Sequence, residues 1–134
     1  MGKRNSCTKN GTLEREVDVR ELYEVVFYRL TSGREPVREW LKQLDSVSRR
    51  KIGRDLYTLQ LGWPVGMPLA RKLEVGLWEQ RSRIINGIAR IMFTEKAGRL
   101  ILLHGFIKKA QKTPASDLAL ARQRLFMFNQ RRKS

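Results

Sequence analysis

Arg81, Arg83 and Arg90 flank an Asn-Gly pair, Asn86-Gly87, set between two apolar runs. Asn-Gly in that setting predicts a two-residue hairpin loop, because a type I′ turn needs positive φ at both central positions. With the turn at Asn86-Gly87, Ile85 pairs with Ile88, Ser82 with Ile91, and Arg83 with Arg90. Like charges placed directly opposite weaken a sheet, so such a face is expected to hold an anion. Guanidinium groups grip phosphate oxygens bidentately and lysine adds a point charge. Lys108 and Lys109 converge on the same end of the sheet, and together these groups would neutralise a pentacoordinate phosphorane. RNA brings its own nucleophile, the 2′-hydroxyl, which leaves the protein alignment, charge stabilisation and proton transfer. Glu79, His104 or a lysine crowded by cations is the candidate base. No Cys/His pair has metal-ligand spacing, so neither metal nor cofactor is expected.

Every one of these residues also has a structural reading. Arginines on a strand are often a solvated face, and Glu79 can serve as a salt-bridge partner of Arg81. His104, the single histidine, can be a hydrogen-bonded structural residue. Trp78 fits a core position or a platform on which a base stacks. Arg71, Lys72 and Lys112 are candidate RNA-binding residues at the rim, or solvated charges; Arg83 and Trp78 belong with them as RNA contacts.

Charge supports a polyanionic partner. The chain has 134 residues, with 28 Lys and Arg against 13 Asp and Glu, for a net charge of +15. From Leu13 to Leu61 ten basic residues face nine acidic ones, whereas from Arg71 to Lys112 ten face three. The excess therefore sits on the second half and on both ends, as expected of a surface that binds by counterion release. The length suits one domain. No apolar run approaches the roughly 20 residues of a membrane helix, and the first residues lack a secretory pattern. A single cysteine, Cys7, rules out an internal disulfide, so a cytoplasmic setting is expected.

The elements that must position these residues follow from periodicity. Residues 1–21 are polar and aperiodic and are expected to form a flexible arm. Tyr23 to Leu30 is rich in β-branched and aromatic residues and predicts a strand. Pro36 opens a helix whose Val37, Trp40, Leu41 and Leu44 share one face. Ser46 or Ser48 caps a second helix with Ile52, Leu56 and Leu59 inward, and Gly62 stops it. Trp63 to Pro68 is a loop. Extended segments follow at about Leu77–Ile85, Ile88–Thr94 and Arg99–Lys108, and their short connections make them antiparallel. A four-residue loop would pair Thr94 with Arg99 and send His104 to the apolar side. A bulged three-residue loop would instead bring His104 beside Arg90. Thr113 caps a last helix with Leu118, Ala121, Leu125 and Phe128 on its inner face. The predicted order is β-α-α-β-β-β-α. That is an α+β domain over residues 22–128, with helices on one side of a small antiparallel sheet of about four strands and a basic tail over 129–134.

The segments "PLARKLEVGLWEQR", "ARIMF" and "ILLHGFIKKAQKTPASDLALARQR" resemble the phage-derived branch of the RelE/HigB toxins of type II toxin–antitoxin systems. The resemblance implies a RelE-like fold and a metal-independent mRNA endonuclease acting on the ribosome to inhibit translation. It also implies a HigA-like helix-turn-helix antitoxin as partner, with ribosome and mRNA as targets and no membrane. Its site would be scattered basic residues, matched here by Arg81, Arg90 and Lys108 or Lys109. The alternative is a non-catalytic RNA- or ribosome-binding module, or a ParE-like inhibitor of DNA gyrase.

Overall fold

A computed structural model describes residues 3–7, 13–18, 22–108 and 113–133, with backbone alone for 3–7, 13–18 and 133. The elements run β1 (Lys3–Cys7), β2 (Leu13–Asp18), β3 (Glu24–Phe27), α1 (Pro36–Lys42), α2 (Ser46–Gly62), β4 (Ala70–Glu74), β5 (Leu77–Ile84), β6 (Gly87–Lys96), β7 (Arg99–Lys108) and α3 (Ala115–Lys133). Strands β1 and β2 pair with each other in their own antiparallel ladder, inside the stretch expected to be an arm. The other five strands form one sheet in the order β3-β7-β6-β5-β4.

This sheet departs from the expected one in three ways. It is mixed, because β3 runs parallel to β7 with Glu24 opposite Arg99 and Phe27 opposite Leu102. It has five strands, since β4 pairs antiparallel with β5; an edge strand bearing Arg71, Lys72 and Glu74 is charged enough to look like loop. And both of its faces are covered. Val37 from α1, with Ile52 and Leu59 from α2, packs with Ala89, Ile91, Phe93, Leu100 and Leu102 on one face. Ala121, Leu118, Leu125 and Phe128 of α3 pack with Met92, Ile101 and Leu103 on the other. The helix faces expected from periodicity are therefore the buried ones, but α3 lies opposite the αα-hairpin. α3 also continues through the expected basic tail, where Arg131 Nη1 donates to the Arg29 carbonyl at 2.6 Å.

Helix limits follow local chemistry. Pro36 begins α1, where its missing N–H is harmless. Asp45, rather than either serine, caps α2 by accepting from Ser48 N at 2.9 Å. The amide of Trp63, just past Gly62, donates to the Leu59 carbonyl.

The hairpin registers correct the predicted ones. The β5–β6 loop is Ile85-Asn86, so Ile84 meets Gly87, Arg83 meets Ile88 and Arg81 meets Arg90. Among the described residues Ala97 is the one non-glycine with positive φ, and Gly87 reaches 134°; the Asn-Gly pair therefore forms no type I′ turn. The primed geometry appears at the next hairpin, where Lys96 pairs with Arg99 around Ala97 (φ 52°) and Gly98 (φ 80°). Leu103 is then an extra residue, since Phe93 pairs with Leu102 but Met92 pairs with His104. This bulge turns His104, Phe106 and Lys108 to the α3 face and leaves Leu102 on the other.

Candidate active site

Four strand residues and one helix-leading residue meet on the α3 face. β4 supplies Arg71, directly opposite Glu79 of β5. Two residues further along β5, on the same face, Arg81 stands opposite Arg90 of β6. Thr113, just before α3, closes the cluster from above. Its hydroxyl donates to Glu79 Oε2 at 3.0 Å and accepts from Arg71 Nη2 at 3.0 Å and Arg90 Nη1 at 3.5 Å. Glu79 Oε1 lies 3.4 Å from Arg71 Nη2 and 3.9 Å from Arg81 Nε, and Oε2 lies 3.7 Å from Arg90 Nη1.

The electrostatics follow from burial. The side chains of Glu79 and Arg90 are both 0% exposed, Arg81 is 11% exposed and Arg71 35%. Burial pushes the Arg90 guanidinium below its ordinary value; Glu79 offsets this, while Arg81 and Arg71 press it lower still. One carboxylate facing three guanidiniums leaves a positive excess in a site of low solvent access, where attraction for an anion is stronger than in water. The opposed arginine pair expected from the hairpin exists, but Arg81 occupies the place assigned to Arg83. A register error of two residues changes partners without changing faces, which is why the arginine side itself is as expected.

The remaining candidates divide. His104 is on the α3 face, diagonal to Arg90 across the β6–β7 ladder. Its Nε2 lies 2.6 Å from Asp117 Oδ1 in the first turn of α3, and its ring stacks on Phe106 at 5.5 Å. Arg83 is exposed near the hairpin end, without a carboxylate partner among the described residues. Lys108 is exposed opposite Ile88, and Lys109 and Lys112 lie outside the described residues. Trp78 and Lys72 do not join the cluster. Trp78 packs in the αα-hairpin core against Trp63, ring centroids 5.3 Å apart, and Lys72 sits 6.0 Å over its ring. Two participants are not expected from the sequence in these roles: Thr113, which it offers only as the cap of the last helix, and Asp117. The signal was the Thr-Pro-x-x-Asp spacing itself, which brings both side chains down onto the sheet when α3 docks. Among the described residues no three His, Cys, Asp or Glu side chains are placed to hold a metal ion, and no helix is long and apolar enough to cross a membrane.

The fold is therefore an α+β domain that keeps three arginines around one buried carboxylate, in a chain of net charge +15. The model of the family described as phage-derived protein Gp49-like (DUF891) matches residues 39–126, and the chain belongs to that family, a toxin-type family related to RelE and HigB. The match runs from α1 into α3 and so includes the whole cluster. No curated protein matches the chain.

Proposed function

We propose that this protein is the toxin of a type II toxin–antitoxin pair and cleaves mRNA on the ribosome. The observation that carries the reading is the Glu79-centred arginine cluster, together with membership of a toxin-type family. In the reaction the RNA 2′-hydroxyl attacks the adjacent phosphorus, and the P–O5′ bond breaks. The products are a 2′,3′-cyclic phosphate and a 5′-hydroxyl. Arg81 and Arg71, the partly exposed members of the cluster, contact the non-bridging oxygens; Arg90 and Glu79 hold them in place from beneath. Glu79 is a poor base, because it is fully buried among three cations and its Oε2 accepts from Thr113. His104 is the better one: Asp117 fixes its ring orientation, as the orienting carboxylate does in other His-based sites. The large positive excess suits the phosphate-rich ribosomal surface, and an acidic helix-turn-helix antitoxin covering the cluster would inhibit it.

Induction in cells tests this. Protein synthesis should fall and transcripts should acquire new 5′-hydroxyl ends. His104→Ala, if folded by circular dichroism, should cut at a rate lower by about 10²–10⁴-fold. Undiminished synthesis with intact transcripts would overturn the assignment.

A further inference from the structure

The β4–β5 ladder extends only from Glu74 opposite Leu77 to Ala70 opposite Gln80, and one further bond runs from Arg81 N to the Leu69 carbonyl at 2.7 Å. Beyond it, among the described residues, no strand pairs with the last residues of β5 on that side. The loop before β4 and the middle of α2 enclose a groove of about 570 Å³ there, lined by Lys51, Asp55, Thr58, Leu69, Arg81 and Arg83 among others. Arg81 belongs both to this groove and to the Glu79 cluster. We propose that the groove is a second phosphate subsite for a single-stranded nucleic acid. It takes the phosphodiester one nucleotide away from the phosphate at the cluster, with Arg81 shared between the two and Arg83 as its principal cation. The inference rests on the RNA reading of the cluster and extends it to a binding track.

Three observations carry it. Arg81 and Arg83 are alternate residues of one strand, so their Cα atoms lie roughly 7 Å apart, close to the step between successive phosphates of an extended strand. Charge bookkeeping singles out the same pair. Lys51 is already bound to Asp55 at 3.1 Å, whereas Arg83 is exposed and has no carboxylate partner among the described residues. The lining is also amphipathic: Pro68, Leu69 and Ile88 offer apolar surface to a ribose or base beside the guanidiniums. A lone inorganic anion would need only the cations, whereas a nucleotide uses both kinds of wall.

Fluorescence anisotropy with 5′-labelled, all-2′-deoxy oligonucleotides of two to six residues tests the subsite without cleavage. The wild-type chain should gain affinity as the oligomer lengthens enough to reach the groove. Arg83→Ala should weaken the hexamer about tenfold at low salt while leaving the dinucleotide nearly unchanged. It should also lower the slope of log affinity against log salt by about 0.7, the value of one phosphate on a single strand. Thr58→Glu, an exposed helical position on the groove wall, should imitate that loss by repulsion, and Thr58→Gln should not. Wild-type hexamer binding that neither Arg83→Ala nor Thr58→Glu changes would overturn the subsite and leave the cleavage reading intact. Binding that follows the predicted pattern in a protein that never cuts RNA would retain the subsite and overturn the cleavage instead.

Discussion

Strand β5 serves two unlike surfaces at once. Its even-numbered residues Trp78, Gln80 and Ser82 face the αα-hairpin, and its odd-numbered residues Glu79 and Arg81 face α3. On the hairpin side, Trp63, Trp78 and Phe93 pack edge-on or stacked at 5.1–6.4 Å, and the buried Nε2 of Gln80 donates to the Ile52 carbonyl at 3.2 Å and Ser82 Oγ at 3.1 Å, while its Oε1 has no hydrogen-bond partner among the described residues. Polar groups there are few and none is part of an ion cluster, so the face acts as a core. On the α3 side, apolar contacts from Met92, Ile101 and Leu103 hold the helix at one end. At the other end a carboxylate, three guanidiniums and a hydroxyl are gathered under it. Buried ion clusters of this kind contribute little net stability over apolar packing. On the proposed reading, a face that keeps one nonetheless gives up stability for binding.

The largest test of this contrast sets Glu79→Ala against Phe93→Ala. Each should destabilise by about 3–5 kcal/mol, the first by leaving buried cations uncompensated and the second by opening a core cavity. Their responses to anions should differ. Inorganic phosphate should raise the Tm of Glu79→Ala more than that of wild type, because the anion substitutes for the lost carboxylate. Phosphate should do nothing extra for Phe93→Ala. Calorimetric scans with and without phosphate check both, and equal phosphate shifts in the two variants would show that the cluster has no special affinity for anions.

A smaller effect is expected where the two faces share β7. A Cβ added at Gly105 would come within 2.5 Å of Trp40 Cε3 and 2.6 Å of Cζ3 on α1. Gly105→Ala should therefore cost about 1–3 kcal/mol through displacement of the indole, measured by urea unfolding. Because the neighbouring His104 points to the opposite face, the His104–Asp117 contact should survive. An unchanged midpoint would mean that Trp40 shifts without loss.

Patterning made the faces legible, while the partners were not. Alternation along β5 and β6 assigns Glu79, Arg81, Arg90 and Met92 to one side, and helical spacing picks out Leu118, Ala121, Leu125 and Phe128; the structure has all of them there. Register had to come from turns, and there the local signal misled. Asn86-Gly87 has the stronger preference for positive φ, yet Ala97-Gly98 adopts it, at a residue whose Cβ makes that conformation costly. A two-residue slip leaves alternation intact, so hydrophobic pattern has no power to correct it. The parallel β3–β7 pairing joins segments far apart in sequence, beyond the reach of any hairpin argument. Thr113 and Asp117 enter the site only once α3 crosses the sheet, a tertiary fact.

The smallest predicted effect lies at the edge of the charged face, where Arg122 of α3 grips Glu74 of β4 through bonds of 2.7–3.1 Å. The hydrogen bonds from Arg122 hold the Glu74 carboxyl below its ordinary value of 4.5. A carboxylate depressed in the folded state stabilises the fold above its unfolded value and ceases to do so as pH falls through the folded one. Wild type should therefore exceed Glu74→Gln slightly in stability near neutral pH, with the gap closing on acidification below about 4.5. The Arg122 and Glu74 side chains are 54% and 36% exposed, so salt should also shrink the gap. Glu79, shielded from solvent, should show no such salt sensitivity in the Glu79→Ala comparison. If salt erased the stability difference at Glu79 as readily as at Glu74, the central cluster would be an ordinary surface ion pair, and the distinction between the two faces of the sheet would fail with it.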